Sequence, residues 1–324
     1  MNDNESAKND NKSEKNSVHV NTDEDYIIRG TAACGMIRAF AATTKNLVQE
    51  ASSIHQTSPV ATAALGRLLT AAAMMGSMLK GEGDLVTIMV QGDGPLKNIT
   101  VTGDSKSRVK GFVTNPDIWI PEKYQGKLDV GKAVGSGVLT VVRDQESGEP
   151  YSSQVELQTG EIGDDLTYYF AVSEQVPSSV GLGVLIDRDC SVKRAGGFII
   201  QLMPGCDDET VMKLENNLKK VTSVTSMLEQ GMTPEDILNK VLSGMNPDVM
   251  ARQKAEYYCN CSRERVEKVL LSIGKKDLQE MIDEGKPAEL VCSFCGKKYT
   301  FSTGDMKLML AAQETAGRRT AERS

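Results

Sequence analysis

The sequence predicts an α+β fold in three parts: an N-terminal domain with a largely antiparallel sheet and helices, a helical linker, and a small C-terminal module built around four cysteines. Three observations lead there. Up to residue 205, helical and strand patterns come in runs and do not alternate, which favours an antiparallel sheet. After Pro204-Gly205 the apolar residues recur at helical spacing, but thinly. The last stretch, 259–324, is too small to be held by hydrophobic burial alone, and it carries cysteines in two close pairs.

Residues 1–24 are Asn, Asp, Lys, Ser and Glu with almost nothing apolar. They cannot bury enough surface to offset ordering entropy, so a disordered tail is expected. The sheet-bearing domain is expected over 25–205 and opens with two helices. The first spans about 31–52. The second has Ser58 as N-cap and Pro59 at its first position, runs through Leu65, Leu68, Leu69 and Ala72, and stops before Gly81. Its alanine content, with Gly66 and Arg67 in mid-span, predicts a buried core helix and not a membrane span.

Strands are expected at 85–90, 99–101, 109–113, 138–142, 152–157, 167–172, 183–187 and 198–202, with Gly92-Asp93-Gly94-Pro95 as a turn. The linker is expected over 206–258. In it, Val211, Leu214, Leu218 and Val221 follow the acidic start Asp207-Asp208-Glu209. Thr233-Pro234-Glu235-Asp236 opens a second helix carrying Ile237, Leu238, Val241 and Leu242, which Gly244 ends. Helices this sparsely apolar depend on whatever they dock against.

Composition narrows the function. A net charge of −7 argues against a partner bound by phosphate neutralisation. Residues 1–25 contain no apolar signal region, and the cysteine count is seven, an odd number. Both point to the reducing cytoplasm, where thiols bind metal or do redox work. Of the two histidines, His55 precedes a helix start and reads as a structural residue. No nucleophile–base–orienter set is present, so no enzyme is expected. Gly92-Asp93-Gly94, Gly135-Ser136-Gly137 and Gly181-Leu182-Gly183 lack the full dinucleotide-binding pattern and read as turns or strand irregularities. Asp187 with Asp189, and Asp207 with Asp208, read as solvated loop and helix-start carboxylates.

Cys259-Asn260-Cys261 and Cys292-Ser293-Phe294-Cys295 stand 30 residues apart. Four thiolates from two close pairs are a zinc donor set, tetrahedral and with no open position for Lewis-acid catalysis. A short hairpin is expected from Leu290-Val291 to Tyr299-Thr300-Phe301, and a helix from about 262 to 272 that Gly274 ends. Asp277 and Glu280 have capping-box spacing for a further helix ending at Gly285. Arg263, Arg265, Lys297 and Lys298 flank the ligands and favour thiolate. Chemistry alone leaves a structural and a redox-sensitive ion both open, and favours the structural one. Cys34 and Cys190 are expected as inert core thiols, and Cys206 as a candidate for a mixed disulfide at the domain–linker junction.

The string Cys259-Asn260-Cys261-Ser262-Arg263-Glu264-Arg265 with Cys292-Ser293-Phe294-Cys295 resembles the redox-regulated 33 kDa chaperonin family, a heat-shock holdase of bacteria. His55-Gln56-Thr57-Ser58-Pro59, Ala64-Leu65-Gly66-Arg67-Leu68-Leu69, Gln91-Gly92-Asp93-Gly94-Pro95-Leu96 and Val109-Lys110-Gly111-Phe112-Val113 resemble segments of the same family in the same order. The resemblance implies a reduced, zinc-bound, inactive form. Oxidant with unfolding conditions then joins Cys259 to Cys261 and Cys292 to Cys295, releases zinc and unfolds the linker. The active form holds unfolding client proteins without ATP, often as a homodimer. The competing expectation is a zinc-ribbon nucleic-acid-binding regulator that uses Arg263, Arg265, Lys297, Lys298, Arg318 and Arg319. The acidic balance weighs against it, and no nucleic-acid or membrane partner is expected.

Overall fold

The computed structural model describes residues 24–146, 148–221 and 223–321, with side chains up to 312 in the last helix. The tail expected over 1–24 lies outside the described residues except for Glu24, and so do the side chains of Arg318 and Arg319.

The N-terminal domain is built on two sheets. The first has the order β10-β1-β2-β9-β8, from β1 (Tyr26–Ala32), β2 (Ile37–Thr43), β8 (Ser178–Ile186), β9 (Val192–Leu202) and β10 (Asp248–Lys254). The second has the order β11-β5-β4-β3-β6-β7, from β3 (Leu85–Gly92), β4 (Asn98–Asp104), β5 (Arg108–Val113), β6 (Gly137–Asp144), β7 (Tyr151–Glu156) and the two-residue β11 (Glu256–Tyr257). All pairings are antiparallel except β11 with β5.

Helix α1 (Lys45–His55) follows β2, and α2 (Pro59–Gly76) lies between the sheets, meeting β3, β4 and β5 of one and β2, β8 and β9 of the other. The helix α2 is long and apolar enough for a membrane span, yet 89% of it is buried in the fold. Ser58 sits at its N-cap, but the Ser58 hydroxyl takes the Ile118 N–H at 3.4 Å instead of a helix amide. A short α3 (Val130–Val134) and α4 (Gly163–Val172) complete this layer.

The helix expected over 31–52 is overturned. Residues 26–43 form the β1–β2 hairpin with a 3-10 turn at Ala33–Gly35, and the α-helix begins only with α1. The error has a physical cause. Phe40 and Ala42 face the inter-sheet core, while Ile37, Ala39 and Ala41 face a second core on the other side. A strand buried on both faces reads as a continuous apolar run, which periodicity cannot separate from a buried helix. The strand expected at 167–172 is also overturned: it lies in α4, with Tyr169 and Phe170 buried. Its aromatic content suggested a strand, whereas Asp164 and Asp165 in the first turn were the helix signal.

Past β9, three capped helices lie on the outer face of the first sheet. Asp207 caps α5 (Asp208–Leu218), Ser223 caps α6 (Val224–Glu229), and Thr233 with Asp236 forms a capping box on α7 (Pro234–Val241). Leu214, Val224, Met227, Leu228, Ile237, Leu238 and Val241 are buried there against Tyr26, Ile28, Ile37, Ala39, Ala41, Phe198 and Ile200. The Tyr26 hydroxyl donates to Glu235 at 2.7 Å, and Arg252 lies 3.6 Å over its ring. The chain then returns as β10 on the edge of the first sheet and β11 on the edge of the second. These two strands fall in the stretch for which only helix was expected. The approach is close: a Cβ added at Gly30 would meet the Asp248 carbonyl oxygen at 2.3 Å.

The C-terminal module comprises α8 (Arg263–Ser272), α9 (Lys275–Asp283), the hairpin β12 (Ala288–Val291) with β13 (Lys298–Phe301), and α10 (Thr303–Ala321). Its core is small: Leu270, Leu278, Ile282, Ala288, Tyr299, Phe301 and Met306. The hairpin and α8 stand where the sequence placed them. Helix α9 starts after Gly274 with no side-chain cap, so the capping box expected from Asp277 and Glu280 does not form.

Candidate metal centre

Two loops carry the four cysteines. Cys259 and Cys261 lie between β11 and α8, and Cys292 and Cys295 lie between β12 and β13. The second loop is a tight turn in which the Gly296 N–H donates to the Cys292 carbonyl at 2.8 Å and the Cys292 N–H to the Lys297 carbonyl at 2.9 Å. Gly296 has φ +68, which favours glycine there. The result brings all four sulfurs within 4.8 Å of one another. Cys259 Sγ lies 3.7 Å from Cys292 Sγ, and Cys261 Sγ lies 3.3 Å from Cys295 Sγ. Four sulfurs at about 2.3 Å from a tetrahedral zinc stand about 3.8 Å apart, so the donor set fits that ion in chemistry and in size.

Hydrogen bonding differentiates the thiols. Burial raises Cys261, but bonding from the Tyr299 hydroxyl and from its sulfur neighbours outweighs it and brings the thiol down to about 7. The Tyr299 hydroxyl donates to Cys261 Sγ at 3.1 Å. Burial pushes Cys259 and Cys295 up. A cation among the sulfurs reverses that direction, because it favours the thiolate.

The flanking cations do less for the thiolates than the sequence suggested. Arg263 donates to the Thr300 carbonyl at 2.9 Å, pairs with Asp305 at 3.2 Å and stacks on Phe301. Lys298 pairs with Glu289 at 3.1 Å, and Arg265 donates to the Asn260 carbonyl at 3.3 Å. The Arg263 bond to Thr300 fastens α8 to the hairpin, while the Lys298 pair lies within the hairpin and the Arg265 bond holds the Cys259–Cys261 loop to α8. Two of the remaining thiols also depart from expectation. Cys34 and Cys190 are exposed and not core residues, because both sit in tight turns at positive φ. Cys206 is half-buried at the expected junction, and burial followed by Asp207 and Asp208 pushes its thiol up. The carboxylate pairs are local turn and cap groups, as expected: Asp189 accepts from Ser191, and Asp207 from the Thr210 N–H at 2.7 Å.

The residues that dock the module were not singled out in the sequence. Tyr257, two residues before Cys259, pairs in β11 with Val109. Its buried hydroxyl faces the Gly111 carbonyl at 2.9 Å, the Phe294 carbonyl and His55 Nε2 at 3.3 Å. Burial lowers the pKa of His55, so that ring meets Tyr257 as a neutral imidazole at pH 7. Phe294, inside the Cys292–Cys295 turn, meets the Phe112 ring edge-on at 5.3 Å and carries Lys110 Nζ 4.8 Å over its face. Lys110 also donates to Asn260 Oδ1 at 2.9 Å. Both cysteine loops therefore touch β5 directly. The signal was present as aromatic residues beside and between the cysteines, but only the fold shows what they meet.

The Hsp33 protein family profile matches residues 25–302. The chain belongs to the Hsp33 family. The 33 kDa chaperonin of Lachnoclostridium phytofermentans is 54% identical over 283 residues, covering 87% of this chain and 97% of that protein. The 33 kDa chaperonin of Agathobacter rectalis is 51% identical over 285 residues, covering 88% and 99%. The crystal structure of the Hsp33 homologue from Thermotoga maritima superposes with a TM-score of 0.83 at 36% identity, covering 90% of this chain and 99% of that one. The antiparallel sheets, the helices and the C-terminal cysteine cluster of this Hsp33-family chain are thus those of a 33 kDa chaperonin fold.

Proposed function

We propose that this chain is a redox-regulated, ATP-independent holdase of the cytoplasm that protects unfolding proteins under oxidative stress. The observation that carries the reading is the direct contact of both cysteine loops with β5, through Tyr257, Phe294 and Asn260, at the end of a linker that covers an apolar sheet face. Cys259, Cys261, Cys292 and Cys295 are the residues to hold zinc. A bound zinc supplies folding free energy on the order of 10 kcal/mol or more to a module of this size.

Oxidation joins Cys259 to Cys261 and Cys292 to Cys295. Each pair of thiolates gives two electrons to an oxidant such as hydrogen peroxide, which takes up two protons and leaves as two waters. The sulfurs are then no longer anionic donors, and the module loses its hold on the metal. With seven buried apolar side chains at its centre among the described residues, the module loosens. Tyr257 and Phe294 lose their fixed partners, β11 and β10 lose their anchor, and α5, α6 and α7 can leave the sheet. The face so freed includes Ile28, Ile37, Phe198 and Ile200, and the helices bring Leu214, Met227 and Leu228. Apolar surface of this kind binds unfolded chains, and methionine adapts to varied partners. The same freed surface suits pairing into a homodimer.

The test follows zinc and client together. Reduced protein is treated with peroxide at raised temperature while a metallochromic dye reports zinc and light scattering reports aggregation of a thermally unfolding client. Client protection that rises with zinc release and reverses with dithiothreitol is expected. Zinc that stays bound, or that leaves with no protection of the client, refutes the reading.

A further inference from the structure

We propose that Lys110 is a positioning residue of the redox switch: its ammonium, on β5, ties the Cys259–Cys261 loop to the Cys292–Cys295 loop and so slows their oxidation. This role rests on the zinc site and the disulfide pairs proposed above. Strand β5 alternates, with Val109, Gly111 and Val113 buried and Arg108, Lys110 and Phe112 half-buried on the opposite face. That second face meets the cysteine loops. Arg108 lies 4.6 Å over the ring of Tyr258, the residue before Cys259, and Phe112 meets Phe294 edge-on at 5.3 Å. Lys110, between them, reaches both loops: Nζ donates to Asn260 Oδ1 at 2.9 Å and sits 4.8 Å over the Phe294 ring. Asn260 stands between the first two cysteines and Phe294 between the second two. Arg108 has a carboxylate partner, Asp104, at 2.7 Å. Lys110 is held by an amide oxygen and a ring face, neither of which cancels its charge.

The sulfurs show why a tie across the loops matters. Cys259 Sγ meets Cys292 Sγ at 3.7 Å and Cys261 Sγ meets Cys295 Sγ at 3.3 Å, so these contacts run between the loops. The disulfides proposed above lie within each loop. For Cys259 to close on Cys261 and Cys292 on Cys295, the loops have to part. Parting breaks the Asn260 bond or lifts Phe294 from the ammonium. Each is a charge-assisted contact, and losing one shifts an equilibrium by about tenfold. The chemistry of the step is unchanged: the two thiolates of a loop give two electrons to peroxide, which takes up two protons and leaves as two waters. Lys110 exchanges neither electron nor proton and acts only on the population of parted loops. Hydrogen peroxide is uncharged, so removing the ammonium leaves its approach unaltered and frees the loops.

Lys110→Met keeps an apolar stem over the ring and removes the charge, whereas Lys110→Arg keeps the charge and stacks on aromatic rings. Zinc release from full-length, reduced, zinc-loaded protein is followed with a metallochromic dye after peroxide is added, and loss of free thiols is followed beside it. Lys110→Met is expected to speed both by about tenfold, and Lys110→Arg to stay near wild type. Phe294→Leu removes the ring, and its combination with Lys110→Met should speed release by less than the product of the two separate effects. A Met variant equal to wild type, an Arg variant as fast as Met, or effects that multiply in full would each overturn the proposal. Should Phe294→Leu fail to hold zinc, the Met and Arg variants alone decide. A wild type that binds no zinc refutes the metal reading instead, and Lys110 is then judged by the same comparison on loss of free thiols.

Discussion

Replacing Gly183 by alanine should loosen the linker without touching a cysteine. Gly183 lies in β8, in register with Gly196 of β9, directly beneath the start of α6. An added Cβ would stand 3.0 Å from both the backbone N and the Cγ2 of Thr225, and 3.1 Å from Cγ1 of Val224. The Thr225 nitrogen is main chain and cannot swing aside, so α6 itself has to shift. Gly183 is not among the residues with positive φ, so alanine is unstrained in the strand and, in an undocked chain, is tolerated or favoured. Overpacking of this kind costs about 1–3 kcal/mol. Against it stands the burial of Val224, Met227 and Leu228, worth about 5–9 kcal/mol together as an upper bound. Helix α6 therefore stays mostly docked, while its undocked fraction rises about 5- to 150-fold. Hydrogen exchange of the reduced, zinc-loaded variant should accelerate by that factor at the amides of α6 and stay unchanged in β2 and β9. Basal client protection should rise with it. Unchanged exchange in α6, or equal acceleration throughout the first sheet, would refute the reasoning that Gly183 serves the docked state alone.

Three further outcomes follow from the same contacts. Tyr257→Phe removes the hydroxyl shared by Gly111, Phe294 and His55; it should weaken docking of the module by about 1–3 kcal/mol, seen as faster proteolysis of the linker in reduced protein at unchanged zinc content. Tyr299→Phe removes the donor to Cys261 Sγ and should lower metal affinity about 10- to 100-fold, measured by competition with a chelator of known affinity. Burial raises Asp25 from 3.8 to about 6, against the lowering effect of the Leu47 N–H and its neighbours at the start of α1. A carboxyl raised on folding binds its proton more tightly in the native state, so its contribution to stability is present below pH 4 and is lost as pH rises through about 6. The stability difference between wild type and Asp25→Asn should therefore fall by about 2 kcal/mol between pH 4.5 and pH 7 in urea titrations; a difference that stays flat or rises would remove Asp25 as the cause.

Local signals along the chain were enough for the α+β class, most strands of the second sheet, the buried α2 and the cysteine quartet. Each rests on a local signal: period-two alternation in β3, β4 and β5, the Ser58-Pro59 start, and two cysteine pairs at short spacing. The Gly181-Leu182-Gly183 stretch read as a strand irregularity because nothing local says that a helix will press on it. The β1–β2 hairpin was missed because burial on both faces erases alternation, and the second face is buried by the segment 208–245, far along the chain. Tertiary structure alone decided that β10 and β11 close the two sheets, and that Tyr257 and Phe294 meet Gly111 and Phe112. The Tyr257–Gly111 contact joins residues 146 positions apart, and the others join residues farther apart still, through pairing and packing at strand edges. No window of sequence contains both partners of such a contact, and what couples the cysteines to the rest of the chain was therefore visible only once the chain was folded.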